Sequence, residues 1–220
     1  MQRVFDIIFA GLALLFLSPL FVPLSIILRL TGEGEVFFVQ QRVGKDGKRF
    51  GLLKFATMLK DSPNLGTGTV TVKDDPRVLP LGRFLRKTKI NELPQLLNIL
   101  KGDMSIVGPR PQAERCFLAF PTDVQKTIIR VRPGLSGIGS IFFRNEEQLL
   151  EGVTDQVAFY DRVIAPYKGE LEKWYIQNES LTTYFRVIFV TVWVVLFPQS
   201  RIAWTLFADL PPPPDELKGV

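Results

Sequence analysis

One long apolar run near the N-terminus constrains this chain more than any other feature. The residues from Ile7 to Leu28 include no charged side chain. As a helix the run is about 33 Å long, enough to cross the hydrocarbon core of a bilayer. A cleaved signal peptide is disfavoured because no small-residue cleavage motif follows. Ser18-Pro19 and Pro23 interrupt the run, which fits both a kinked spanning helix and a helix that turns back within one leaflet.

A second apolar segment lies near the C-terminus, in the sequence TTYFRVIFVTVWVVLFP (182–198). Its aromatic residues recur at helical spacing, Arg186 interrupts it and Pro198 ends it. This mixture favours an interfacial helix, and a core helix is the alternative. The tail after it, ADLPPPPDELKGV (208–220), has four consecutive prolines and is predicted to be extended and exposed to solvent.

The composition limits the available chemistry. The net charge is +5 and the pI about 9.4, which suits partners that carry phosphate groups. Cys116 is the single cysteine, so the chain forms no internal disulfide. The sequence has no histidine, so proton transfer near neutral pH would depend on a carboxylate, Lys, Cys or Tyr whose pKa is shifted.

Between the apolar ends the pattern indicates alternating short elements in one domain. Val36–Arg42 and Lys48–Phe55 are strand-like runs around a Gly-Lys-Asp-Gly turn and predict a β-hairpin. A loop is predicted at 61–76, followed by helices at 112–131 and 145–180. The sequences VGPRP and RVRPGLSGIGS are predicted to be rigid loops.

A short helix is predicted within INELPQLLNILKGD, since its leucines repeat at i, i+3, i+4 and i+7. Asn91 is the expected N-cap and Gly102 the expected end. Five cations and no acidic residue lie between Arg77 and Lys89, immediately before this helix. A helix N-terminus with arginines nearby favours an anion such as phosphate. A solvated basic face or lipid-headgroup binding is the alternative.

The segments KFATM, DPR, LGRFLRKTKINELPQLLNILKGDMSIVGPRP and VRPGLSG resemble the bacterial sugar transferase family, the monotopic phosphoglycosyl transferases. The resemblance extends from about Arg3 to Pro198. It implies transfer of a phospho-sugar from a nucleotide diphosphate sugar to a polyprenol phosphate. The expected acceptor is undecaprenyl phosphate. It also implies Mg²⁺ as cofactor and an N-terminal re-entrant helix broken at Ser18-Pro19.

The family's chemistry depends on an Asp-Glu dyad in which the Asp is the nucleophile, and here the dyad reads Asn91-Glu92. An amide is a poor nucleophile at phosphorus. Three interpretations follow: Glu92 acts as nucleophile or as base, the chain is a silent scaffold for other glycan enzymes, or Asn91 stands where an Asp was replaced. A second departure is Ala56 in KFATM, where the family usually has Arg.

When the family's functional residues are matched to this sequence position by position, the resemblance implies that Arg86 contacts phosphate. It makes Lys54, Arg110 and Arg132 substrate contacts, and it leaves the Mg²⁺ ligands unidentified. The sequence does not identify the sugar.

The combined prediction is an α/β fold: a compact membrane-associated domain with an N-terminal re-entrant membrane helix and amphipathic interfacial helices. Its parts are the re-entrant helix (1–30), the catalytic domain (31–200) and the Pro-rich tail (201–220). The expected location is the bacterial cytoplasmic membrane, with the site on the cytoplasmic face. The expected partners are the two substrates and the bilayer, not nucleic acid, and the basic loops and interfacial belt leave room for a homodimer.

Overall fold

The computed structural model describes residues 1–66 and 74–217, and it is a mixed helix and strand fold. The strands are β1 (Phe37–Val43), β2 (Arg49–Phe55), β3 (Ser105–Val107) and β4 (Gly134–Ser136). The helices up to the middle of the chain are α1 (Gln2–Leu30), α2 (Pro80–Lys87), α3 (Gln95–Lys101), α4 (Glu114–Leu118) and α5 (Thr122–Ile128). The later helices are α6 (Ile138–Phe142), α7 (Glu146–Leu149), α8 (Gln156–Phe159), α9 (Ala165–Gln177), α10 (Leu181–Leu196) and α11 (Ile202–Leu206). A π-helical turn, Tyr160–Ile164, joins α8 to α9.

The N-terminal apolar run forms one helix, α1, and its prolines do not end it. Pro19 has no N–H to donate to the carbonyl of Leu15, and the Ser18 hydroxyl donates to that carbonyl instead, at 2.8 Å. Among the described residues, α1 is the one helix long and apolar enough to cross a membrane.

Both halves of α1 pack on the same domain. In the first half, Ala10 lies in a cluster with residues of β2 and α3. In the second half, Leu24 and Leu28 pack against Phe55 of β2 and Leu85 of α2. Between these contacts the apolar side chains of α1 are largely exposed, Phe16 at 77%.

The predicted hairpin is confirmed. β1 and β2 pair antiparallel from Phe37 opposite Phe55 to Val43 opposite Arg49. Asp46 and Gly47 make the turn with positive φ, +57° and +72°, a conformation that Gly adopts without steric cost and Asp tolerates.

A parallel pair, β3 and β4, lies at the two loops that were predicted as VGPRP and RVRPGLSGIGS. α4 and α5 form the crossover between these strands. The backbones approach so closely that a Cβ at Gly134 would lie 2.1 Å from the amide nitrogen of Gly108. Only glycine fits there, so this position fixes the two loops against each other.

The largest core cluster lies around α5, α9 and α10. α10 buries one face, including Val187 and Val190, and exposes the other, including Phe189 and Leu196. The predicted helix is therefore confirmed, and it combines a core face with an exposed apolar face.

Several expectations need correction. The predicted helix at 112–131 is two helices separated near Pro121, and the one at 145–180 is interrupted between α7 and α8. The tail is not wholly exposed, because Leu210 and Leu217 are buried in the main core cluster. Part of the loop predicted at 61–76 lies outside the described residues; within the described part, Ser62–Asn64 forms a 3-10 turn.

Candidate active site

The dyad Asn91-Glu92 lies in a tight turn between α2 and α3. After α2 the chain reverses at Lys89, which has a left-handed backbone with φ +61°, and Ile90–Glu92 form a 3-10 turn. α3 begins only at Gln95, with Pro94 as its N-cap and no side-chain cap bond. The prediction that Asn91 caps a helix is therefore wrong: Pro94 fixes a helical start three residues later.

Asn91 is 5% exposed, and its side-chain oxygen Oδ1 is buried without a hydrogen-bond partner in the described part of the chain. Buried polar atoms are almost always hydrogen-bonded in folded proteins. An unpartnered amide oxygen beside a charged cluster is thus an available acceptor for a ligand.

Glu92 pairs with Arg110, whose Nη2 lies 3.2 Å from Oε1. Burial alone raises the pKa of the Glu92 carboxyl. Three nearby cations outweigh this effect and lower the pKa to about 2; they are Arg110, Lys54 and Lys89. Glu92 is therefore ionised throughout the neutral pH range.

The hairpin supplies two partly buried cations, Lys54 from β2 and Arg42 from β1. Burial lowers the pKa of Lys54 to about 7, although the charge of Glu92 opposes this. Burial and the charge of Arg110 likewise lower the pKa of Arg42 to about 10. The cations at this site repel one another, and the single partly buried carboxylate of Glu92 does not balance their charge.

Arg86, near the end of α2, is paired with Glu147 of α7 at 2.8 Å. Its Nη1 also lies 3.7 Å from the sulfur of Met58. Both members of the ion pair are partly exposed, so a stronger anion can replace the Glu147 carboxylate at Arg86 with little loss.

Arg110 follows β3, and its backbone N–H donates to Oε1 of Glu172 at 3.0 Å. Glu172 lies in the middle of α9 and is 1% exposed. The side chain of Arg110 thus reaches Glu92 while its backbone is held by a second, separate carboxyl group.

The structure brings Lys54, Arg110 and Asn91-Glu92 together and places Arg132 elsewhere. Arg132 is exposed and donates to the carbonyl of Gly102, at the C-terminal end of α3. Its role as a substrate contact stays a prediction. Ala56, where the family usually has Arg, is buried just after β2.

Arg77, one of the five cations before the dyad, has a local structural role. It is buried, paired with Asp75, and donates to the carbonyls of Ser62 and Leu65 at 2.8 Å. It therefore braces the chain on either side of the segment 67–73.

Three residues near the site were missed by the sequence analysis: Arg42, Glu147 and Glu172. Arg42 lies on the less exposed side of the alternating pattern of β1, and this pattern could have identified it as a residue that faces the site. The two glutamates lie in polar helical segments, and no local pattern distinguishes them from solvent-exposed residues.

No group of three or more His, Cys, Asp or Glu side chains in residues 1–66 and 74–217 could hold a metal ion. Any metal here would need ligands of another kind, such as the free amide oxygen of Asn91 together with substrate oxygens.

A partly buried cluster of cations around one ionised carboxylate can bind an anion, and it lies on a domain whose N-terminal helix is long and apolar. Comparison with known proteins identifies the class. The sequence profile described as bacterial sugar transferase matches residues 1–198. The chain belongs to this family, so the resemblance predicted from the central block is confirmed, and by class it is a phosphoglycosyl transferase.

Individual relatives agree with this class. The exopolysaccharide production protein ExoY of Sinorhizobium fredii is 35% identical over 87% of this chain and 83% of its own length. The UDP-glucose:undecaprenyl-phosphate glucose-1-phosphate transferase of Escherichia coli is 36% identical over 87% of this chain and 39% of its own length. A UDP-N-acetylgalactosamine-undecaprenyl-phosphate N-acetylgalactosaminephosphotransferase of Aeromonas hydrophila is 34% identical over 89% of this chain and 43% of its own length.

Proposed function

We propose that this protein transfers a phospho-sugar from a UDP-sugar to undecaprenyl phosphate and releases UMP. The observation that carries the proposal is the cluster at the dyad, where Lys54 and Arg110 surround Glu92. The diphosphate of a nucleotide sugar would supply the negative charge that this cluster lacks. The names of the relatives from Escherichia coli and Aeromonas hydrophila describe the same type of reaction.

In the proposed mechanism Glu92 is the nucleophile. The ion pair with Arg110 keeps its carboxylate ionised. One oxygen attacks the phosphorus that bears the sugar, the bond to the UMP phosphate breaks, and UMP leaves with the bonding electrons. An oxygen of undecaprenyl phosphate then attacks the same phosphorus and releases Glu92. Lys54 and Arg110, with Arg86 once it has left Glu147, stabilise charge on the phosphoryl oxygens.

We also propose Mg²⁺ as the cofactor. Asn91 fits this ion because its Oδ1 is a buried oxygen without a partner. Mg²⁺ in proteins uses few protein ligands together with substrate phosphates, so a cluster of carboxylates is unnecessary. When bound, it would neutralise charge on the diphosphate. We expect UMP release to stop with EDTA and to return with added Mg²⁺.

The test of the mechanism is UMP release by purified protein with Mg²⁺ and a panel of UDP-sugars. A nucleophilic Glu92 gives one UMP per enzyme even without undecaprenyl phosphate, and intact-mass spectrometry then detects a covalent phospho-sugar. Glu92→Gln abolishes both signals. Glu179→Gln, an exposed control, retains them. UMP release that strictly requires the acceptor would instead assign direct attack by the lipid phosphate.

Asn91 supports a second candidate function, a catalytically silent scaffold for glycan assembly. An amide at the nucleophile position is the observation in its favour. If no UDP-sugar yields UMP, but Asn91→Asp restores release, the scaffold function replaces the transferase function.

We further propose that α1 lies in the bilayer with both ends on the cytoplasmic side. The supporting observation is that both halves pack on one domain. At the N-terminal end, Arg3 donates to the carbonyls of Ile99 and Leu100 of α3, the first at 2.6 Å. At the other end, Glu33 accepts from the backbone N–H of Lys60 at 2.5 Å. Tags at the N-terminus and after residue 30 test this topology, and labelling of the two tags from opposite sides would refute it.

A further inference from the structure

Glu172 is a buried acid whose role the transfer mechanism leaves open. It lies at the middle of α9 and is 1% exposed. Oε1 accepts the backbone N–H of Arg110 at 3.0 Å, while Oε2 is buried without a hydrogen-bond partner among the described residues. Oε1 of this carboxyl group therefore accepts a hydrogen bond from the Arg110 backbone, and Oε2 can carry a proton.

Two glycines close over this carboxyl group. A Cβ on Gly139 would lie 2.4 Å from Oε1, and one on Gly137 would lie 3.6 Å from Oε2. The chain after β4 thus passes directly across the Glu172 side chain with no room for a larger residue at position 139. Such a close backbone excludes water, so Glu172 responds to its protein neighbours rather than to solvent.

The charged and titratable side chains that face Glu172 come from three elements, α9, α7 and the loop after β3. Lys168 is one turn earlier on α9 and is itself paired with Glu146 of α7. Tyr175, also on α9, and Arg110, in the loop after β3, complete the set, while the start of α6 contributes only backbone. Burial raises the pKa of the Glu172 carboxyl to about 7, although the Arg110 N–H and the Lys168 charge act to lower it.

We propose that Glu172 is a positioning residue for the phosphate-binding side of the site: it holds the Arg110 backbone, and its charge sets how strongly the Arg110 guanidinium attracts the donor diphosphate. The inference rests on the proposed transferase function. Protonated on Oε2, Glu172 keeps its bond to Arg110 and adds no charge. Ionised, its negative charge offsets part of the positive charge that the Arg110 guanidinium offers to the diphosphate, so donor binding weakens as pH rises.

The matched variant is Glu172→Gln, which keeps an oxygen for the Arg110 N–H and removes the change of charge. The probe is UDP, and its dissociation constant is measured for the full chain in nanodiscs at pH 6 and pH 8. Wild type and variant are compared at the same pH, so ionisation of UDP and of Lys54 affects both. Glu170→Gln, an exposed position on the same helix, serves as control.

At pH 6 we expect wild type and Glu172→Gln to bind UDP with equal affinity. At pH 8 we expect Glu172→Gln to bind UDP about three- to tenfold more tightly than wild type, because the variant lacks one negative charge near Arg110. Equal affinities at both pH values would overturn the proposal. A constant weakening at both pH values would also overturn it, because that result indicates a packing role alone.

A second variant keeps the proposal testable if Glu172→Gln does not fold. Lys168→Met removes a cation that lowers the pKa of Glu172, so the pH at which UDP binding weakens should move upward relative to wild type. An unchanged or lower midpoint would contradict the proposal. UDP binding without UMP release from any donor would refute the transferase function. The role of Glu172 in UDP binding would then still be decided by the dissociation constants of wild type and variant. No UDP binding by wild type at any pH would refute both.

Discussion

Asp6 of α1 provides the sharpest test of how the N-terminal helix is joined to the domain. It is 2% exposed and accepts hydrogen bonds from the Ser105 hydroxyl at 2.9 Å, the Ile106 N–H at 2.9 Å and the Tyr184 hydroxyl at 3.0 Å. Asp6→Ala would leave three buried donors unpaired. A stranded donor costs about 1–3 kcal/mol, and the two hydroxyls can partly re-orient, so we expect a loss of about 3–5 kcal/mol.

The assay is urea unfolding in detergent micelles, followed by tryptophan fluorescence. Asp123→Ala is the control, because Asp123 is 62% exposed and pairs with Lys173, and surface pairs contribute about 0–1 kcal/mol. Asp6→Asn keeps one acceptor oxygen and should fall between the two variants. A loss for Asp6→Ala no greater than that of the control would refute the view that Asp6 fixes α1 to β3 and α10.

The remaining predictions concern the site and its surroundings. Gly139→Ala should reduce both stability and UMP release, because its methyl group would lie 2.4 Å from Glu172; Gly11→Ala, with no atom within 4 Å, should be neutral or stabilising by about 0.5–1 kcal/mol in the same unfolding assay. Glu172 has a pKa of about 7 in the folded protein, above its ordinary value of 4.5, so folding favours its protonated form. The free energy of unfolding should therefore fall between about pH 4.5 and 7, by about 3 kcal/mol relative to Glu172→Gln. Asn91→Asp should increase UMP release by about tenfold or more, since a charged carboxylate binds Mg²⁺ more strongly than the amide oxygen proposed as its ligand; unchanged release would contradict the assignment of Asn91 as a ligand of this ion.

Patterns that depend on local sequence were predictable. The hairpin follows from alternating apolar residues around a Gly-containing turn, and α1 and α10 follow from long apolar runs. The prediction for the dyad failed where two local signals conflicted. Asn91 has the composition of an N-cap, but Pro94 starts the helix and Lys89 adopts a left-handed backbone, so Asn91 lies within a 3-10 turn.

Features that depend on tertiary contact were not predictable. β3 and β4 have three residues each, too few for a periodic signal, and their pairing depends on the close approach of Gly108 and Gly134. Glu172 lies in a helix between Leu171 and Lys173, and a charged residue in such a segment is ordinarily solvated. It is buried because the start of α6 and the loop that holds Arg110 cover it, contacts between residues that are distant along the chain.

The packing of α1 explains how the proposed membrane anchor can also support the site. Near its N-terminal end, Asp6 bonds to β3, which leads directly into the loop that holds Arg110. Its second half packs on β2, which carries Lys54, and on α2, which carries Arg86. Each cation assigned to the donor diphosphate is therefore on, or next to, an element in contact with α1. A change that disturbs the packing of α1 should therefore alter phosphate binding as well as the proposed attachment to lipid, because both depend on the same contacts.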